Sequence, residues 1–175
     1  ALKLRKRHSL TPDQIESIEL RVPTAAVAIV CEPIEDKRRP RNSYAARFSL
    51  PYAVCVILVS GRAGIDDFSE KRIGDPAILA LCARTRYVVD DSLPFPQSFP
   101  GWVIIQLKDG TRLEARMDES RGSREHPMSA DELYEKFESN AARTLPRARV
   151  RQIWDIGQRL ETLEQTTALT DLLSV

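Results

Sequence analysis

Arg47, Ser49 and Tyr52 form the one dense polar group beside the most apolar stretch of the chain, residues 53–59. A guanidinium and two hydroxyl groups can donate hydrogen bonds, and Arg47 adds a permanent positive charge. The residue types alone leave open whether these groups bind a ligand or the protein itself. A buried tyrosine usually finds a hydrogen-bond partner within the fold, so packing is an equal interpretation of Tyr52.

The patterns of familiar catalytic sites do not occur in this sequence. It contains no glycine-rich phosphate loop, no Gly-x-Ser-x-Gly motif and no His-Glu-x-x-His motif. The two histidines, His8 and His126, lie in unrelated segments, and the acidic pairs 66–67 and 90–91 are typical of solvated positions. The residues therefore predict no catalytic group, no metal site and no cofactor site within this chain.

Composition narrows the class of protein. The 175 residues carry 26 Lys and Arg against 25 Asp and Glu, and this net charge of +1 argues against a dedicated nucleic-acid binder. No apolar run approaches the ~20 residues that cross a bilayer. Cys31, Cys55 and Cys82 lie among apolar neighbours without Cys-x-x-Cys spacing, which is typical of reduced thiols. These features predict a soluble, cytoplasmic α+β domain.

The apolar stretch predicts a buried central helix. Residues 53–59 carry no charge, so the segment is expected to be buried on every side. Ser49 can cap a helix that has Pro51 in its first turn, and Gly61 can end it in the left-handed conformation. A central strand is the alternative because several of these residues are β-branched. The start and stop signals favour the helix.

Alternation of apolar and polar residues predicts strands over 18–22, 85–89 and a hairpin over 102–117. In the hairpin, a three-residue loop, 108–110, sets Ile105 opposite Leu113, whereas a two-residue loop would set Ile105 opposite a charge. The apolar match selects the three-residue loop, with its glycine in the left-handed region.

The segments outside these strands carry start and capping patterns typical of helices. Helices are predicted at residues 1–8, after the capping pattern at 129–132, from Asp75-Pro76, and as one long helix after Pro146, whereas the capping pattern at 11–14 predicts one short turn. Residues 24–31 fit a helix or a strand, and 32–41 are expected to be a surface loop. We therefore predict a single α+β domain, residues 1–175, with a small, mostly antiparallel sheet packed against helices around the central one.

Residues 46–52, Ala-Arg-Phe-Ser-Leu-Pro-Tyr, resemble the Ala-Lys-Phe-Ser-Leu-Pro-Tyr signature of the MmgE/PrpD family, which includes 2-methylcitrate dehydratase. Other family landmarks follow in the same order. These are Phe68, Ile73, Asp75-Pro76, Asp109-Gly110, Gly122, Pro127, Ser129, Leu133 and Lys136-Phe137.

The resemblance implies the C-terminal domain of a larger enzyme whose active site lies in a cleft facing a helical N-terminal domain. It implies that the main acid–base residues lie outside this chain, which would be inactive alone. Tyr52, with Arg47 and Ser49, would bind substrate. Arg47 replaces the usual lysine, which keeps the charge for a carboxylate but changes its reach.

Two functions from different classes follow. The first is a lyase or isomerase domain acting on small polycarboxylates, without a cofactor and with homodimer formation left open. The alternative is a non-enzymatic module that binds nucleic acid or another anionic partner through the basic patches 3–7, 37–41 and 143–151.

Overall fold

The computed structural model describes residues 1–174 and contains a four-stranded sheet. Its strands are β1 (Ile15–Val22), β2 (Thr85–Val89), β3 (Gly101–Leu107) and β4 (Arg112–Met117), in the order β2-β1-β3-β4. β1 runs parallel to β2, whereas the β1–β3 and β3–β4 pairs are antiparallel. The predicted α+β class with a mostly antiparallel sheet is confirmed.

The hairpin has the predicted register. Ile105 pairs with Leu113, and the loop glycine, Gly110, has φ 88°. This pairing confirms the predicted three-residue loop. In this register the apolar side chains of both strands lie on the same face of the sheet.

The chain divides into two compact units at Ser120 and Arg121. The first unit contains the sheet and seven helices among its described residues. They are α1 (Leu2–His8), α2 (Thr24–Val30), α3 (Ile34–Arg38), α4 (Ser43–Arg47), α5 (Leu50–Ser60), α6 (Glu70–Ile73) and α7 (Pro76–Ala83), with 3₁₀ turns at Pro12–Gln14 and Ile65–Phe68.

The structure decides between helix and strand for residues 24–31 and corrects the loop expected at 32–41. The undecided stretch after Pro23 is the helix α2, and the predicted surface loop at 32–41 contains the helix α3. In α3, acidic residues occupy the first turn and basic residues the last, which suits the helix dipole. That charge order is a sequence signal for α3, and the loop prediction overlooked it.

The central segment is the helix α5, as predicted. The hydroxyl of Ser49 accepts the backbone N–H of Tyr52 at 3.0 Å, and Gly61 ends the helix with φ 73°. The cap, the early proline and the terminal glycine together outweigh the β-branched content.

The expected burial of α5 on every side is wrong. Cys55, Val56 and Leu58 are buried, whereas the remaining members of the apolar run are only half-buried. Among the helices, α7 makes the most extensive contact with α5, and α1, α3 and α4 also contact it. The apolar run of α5 is therefore only partly covered within the first unit.

The second unit contains α8 (Ala130–Ala141), α9 (Arg147–Gly157), a 3₁₀ turn and α10 (Thr167–Leu173). The capping box at Ser129 is confirmed, because its hydroxyl accepts the N–H of Glu132 at 3.2 Å and the Glu132 carboxylate accepts in return at 2.9 Å. The single long final helix is wrong, since α9 ends at Gly157.

Trp154 lies inside the second unit's aromatic cluster. Its ring centroid lies 5.2 Å from that of Tyr134 and 5.6 Å from that of Phe137. The tryptophan of α9 thus packs against two aromatic side chains of α8. Among the helices that the structure describes, none combines the length and apolar character needed to cross a bilayer.

Candidate functional site

Arg47 is the exposed member of the signature segment. It is the last residue of α4, and its guanidinium makes no ion pair or hydrogen bond with any residue that the structure describes. A cation at a helix C-terminus is favourably placed toward the negative end of the dipole. Arg47 is therefore available to an external anion.

Ser49 is a structural cap. Its side chain is 1% exposed, and besides accepting the N–H of Tyr52 it donates to the carbonyl oxygen of Lys37 at 2.5 Å. Both hydrogen-bonding roles of the hydroxyl are thus used within the first unit. This arrangement fixes the sharp turn between α4 and α5.

Tyr52 lies in the core of the first unit with no exposed surface. Its hydroxyl donates to the carbonyl oxygen of Asp67 at 2.8 Å, and its ring packs 5.6 Å from the ring of Phe68. Burial is the main cause that raises the pKa of Tyr52 to about 12. The hydroxyl is therefore neutral at physiological pH and ties α5 to the 3₁₀ turn at Ile65–Phe68.

The structure does not bring the three predicted groups to one surface, because Arg47 is exposed while Ser49 and Tyr52 are enclosed. Their role in substrate binding stays a prediction. An aromatic pair accompanies Arg47: Tyr44 and Phe48 are 70% and 42% exposed, with ring centroids 5.0 Å apart. The exposed face beside α4 thus combines apolar rings with a cation.

Two members of the basic run at 37–41, Lys37 and Arg38, bind backbone carbonyl groups within the first unit. The ammonium of Lys37 donates to the carbonyl oxygens of Ile29 at 2.5 Å and Phe48 at 2.7 Å. Arg38 donates from two nitrogens to the carbonyl oxygen of Thr85, at 3.0 and 2.7 Å. Sequence reasoning missed these roles because every residue has a backbone carbonyl group, so the sequence does not identify the acceptor.

The other basic patches also have internal partners. Arg5 of α1 donates to the carbonyl oxygen of Leu58 at 3.0 Å, at the C-terminal end of α5. In α9, Arg151 forms an ion pair with Asp155 at 3.1 Å. These contacts reduce the charge that the patches offer to an anionic partner, so they weaken the alternative of a nucleic-acid-binding module.

The titratable side chains do not form a metal centre. Within residues 1–174, no group of three or more His, Cys, Asp or Glu side chains is arranged to hold a metal ion. The three cysteines are buried and free, and burial raises the pKa of Cys31 to about 11. The Cys31 thiol is therefore protonated and poorly nucleophilic at neutral pH.

Residues 1–162 match the family model of the MmgE/PrpD C-terminal domain. The chain is 30% identical to a cis-aconitate decarboxylase of Mus musculus and 31% identical to that of Homo sapiens. These matches cover 96% of the chain in both cases but only 35% and 34% of the relatives. It is also 31% identical to the mitochondrial 2-methylcitrate dehydratase of Yarrowia lipolytica, covering 85% of the chain and 29% of that protein. The chain thus spans about a third of the length of these relatives.

Proposed function

The chain belongs to the MmgE/PrpD family as its C-terminal domain, and on this premise we propose that it is part of a lyase or isomerase that acts on small polycarboxylates. The observation that carries the proposal is the family match over residues 1–162, which includes the signature at 46–52. The names of the relatives, a decarboxylase of cis-aconitate and a dehydratase of 2-methylcitrate, support a polycarboxylate substrate.

In this proposal Arg47 contacts a substrate carboxylate. Its exposure and the absence of a described partner support this role, because a guanidinium can bind a carboxylate through two parallel hydrogen bonds. Ser49 and Tyr52 act beneath it, since the Ser49 hydroxyl holds the turn after Arg47 and the Tyr52 hydroxyl anchors the helix α5 that follows. The signature then contributes one charged contact and two residues that position it.

We also propose that the face carrying Arg47 closes a substrate cleft against a helical N-terminal domain. The exposed Tyr44–Phe48 pair supports this orientation, since exposed apolar surface beside a polar group is typical of interfaces. Water excluded from such a cleft strengthens the attraction between Arg47 and a carboxylate. The chain alone is then inactive.

The test uses a polypeptide that joins this domain to a helical N-terminal domain of the family. Turnover of cis-aconitate, 2-methylcitrate and related polycarboxylates is followed by proton NMR, with the chain alone assayed in parallel. Arg47→Ala should lower kcat/KM by roughly ten- to a hundredfold, the loss expected for one charge-assisted hydrogen bond. Arg47→Lys should restore part of the activity because the charge remains.

Arg39→Ala is the matched control, since Arg39 is also exposed and makes no side-chain contact with the described residues. Its kinetics should equal those of the wild type. Equal rates for Arg47→Ala and Arg39→Ala would remove Arg47 from the substrate site. Turnover by the chain alone would overturn the proposal that a second domain completes the active site.

A further inference from the structure

A cavity of about 720 Å³ opens on the first unit where α5 ends and α7 begins. Its volume lies within the range of sites for small molecules. Arg47 is not among its lining residues, so the cavity is separate from the position discussed above. Three cations and three carboxylates line it: Arg62, Lys71, Arg72, Asp66, Asp67 and Asp75.

The carboxylates of the cavity are bound to the protein. Asp75 caps α7 by accepting the N–H of Ala77 at 2.8 Å, and its other oxygen accepts from Arg72. Asp67, whose side chain is 4% exposed, accepts the N–H of Gly64 at 2.9 Å. Asp66 also interacts within the protein. Backbone N–H groups and arginine side chains therefore occupy carboxylate oxygens of Asp67 and Asp75.

The cations keep donors that these contacts do not use. Arg62 reaches Asp67 at 3.2 Å through Nε while its side chain is 73% exposed. Arg72 donates to Asp75 and, at 2.5 Å, to the hydroxyl of Ser60, out of the several N–H groups of its guanidinium. Lys71 is exposed and has no partner among the described residues.

We propose that this cavity binds a small oxyanion, a carboxylate or a phosphate, with Lys71 as the principal charged contact. Lys71 supplies an ammonium that makes no hydrogen bond or ion pair with the described residues, and Arg62 and Arg72 supply further N–H donors at the same cavity. Charge-assisted hydrogen bonds from such groups are the strong ones in anion recognition. The inference is independent of the proposed enzyme activity, because it needs neither Arg47 nor a second domain.

The purified chain is titrated with inorganic phosphate and, separately, with citrate, at constant ionic strength. Binding is followed by isothermal titration calorimetry and by ¹⁵N amide shifts of residues 60–76. We expect saturable binding whose dissociation constant becomes roughly tenfold larger in Lys71→Gln, as for the loss of one charged hydrogen bond. The anion that binds more tightly decides between phosphate and carboxylate.

Lys108→Gln is the matched control because Lys108 is also exposed and without a side-chain partner, but lies in the hairpin loop outside the cavity. It should bind as the wild type does. The proposal fails if both lysine variants bind equally, or if neither anion saturates below roughly 50 mM, beyond the millimolar range of weak ligands. Binding by the chain without turnover in the joined polypeptide would refute the proposed function alone.

Discussion

Arg5 lies beside Gly61 at the C-terminal end of α5, and the contribution of these two residues to the free energy of unfolding can be measured. Gly61 has φ 73°, and a Cβ placed on it would lie 2.6 Å from Nη1 of Arg5. Gly61→Ala therefore strains the backbone and displaces the Arg5 side chain from the carbonyl oxygen of Leu58, which Arg5 contacts at 3.0 Å.

The expected loss can be separated into two parts. The left-handed conformation of a residue other than glycine costs about 1 kcal/mol, and a partly exposed hydrogen bond contributes about 1 kcal/mol more. Gly61→Ala should thus lower the free energy of unfolding by about 2 kcal/mol. Gly110→Ala is the matched control, because Gly110 has φ 88° but no atom within 4 Å of the new Cβ, so it measures the backbone part alone.

The assay is urea denaturation followed by circular dichroism, with Arg5→Ala completing a double-mutant cycle. Once Arg5 is removed, Gly61→Ala should cost the same as Gly110→Ala. Equal losses for the two glycine variants in the wild-type background would show that Arg5 contributes nothing to the end of α5. The interpretation of Arg5 as a structural cap would then be wrong.

Two further predictions concern the core of the first unit. Val56 has no exposed surface, so Val56→Asp places an unpaired charge in the core at a cost of several kcal/mol. The variant should lose the cooperative melting transition. An unchanged melting temperature would contradict the buried position of Val56. Tyr52→Phe removes the bond to Asp67 and should destabilise the wild-type fold by about 1 kcal/mol at pH 7. Because the pKa of Tyr52 is raised to about 12, its contribution is complete below pH 10, the ordinary pKa of a tyrosine, and is lost as the pH rises through about 12. The stability difference between the two proteins should therefore shrink over that interval, and a constant difference would refute the assigned environment.

Much of the local structure follows from neighbouring residues. The start and end of α5, the capping box at Ser129 and the hairpin loop ending at Gly110 are all read correctly from the sequence. In each case the groups that bond lie within a few residues of one another, so spacing alone specifies the contact. The family signature at 46–52 is equally local, and it identified the family without the structure.

The tertiary structure decided what the polar groups of that signature contact. The hydroxyl of Tyr52 binds a carbonyl oxygen 15 positions away, and Arg38 binds one 47 positions away. Every residue carries the same backbone carbonyl group, so the pattern of side chains does not indicate which carbonyl oxygen Tyr52 or Arg38 binds. Burial along α5 likewise depends on which helices pack against it. The apolar character of its residues shows only that burial is favourable, not which residues are buried. The sequence therefore determined those elements whose start and end signals are local, such as α5, α8 and the hairpin. The packing of distant segments determined that Arg47 is exposed while Ser49 and Tyr52 are enclosed.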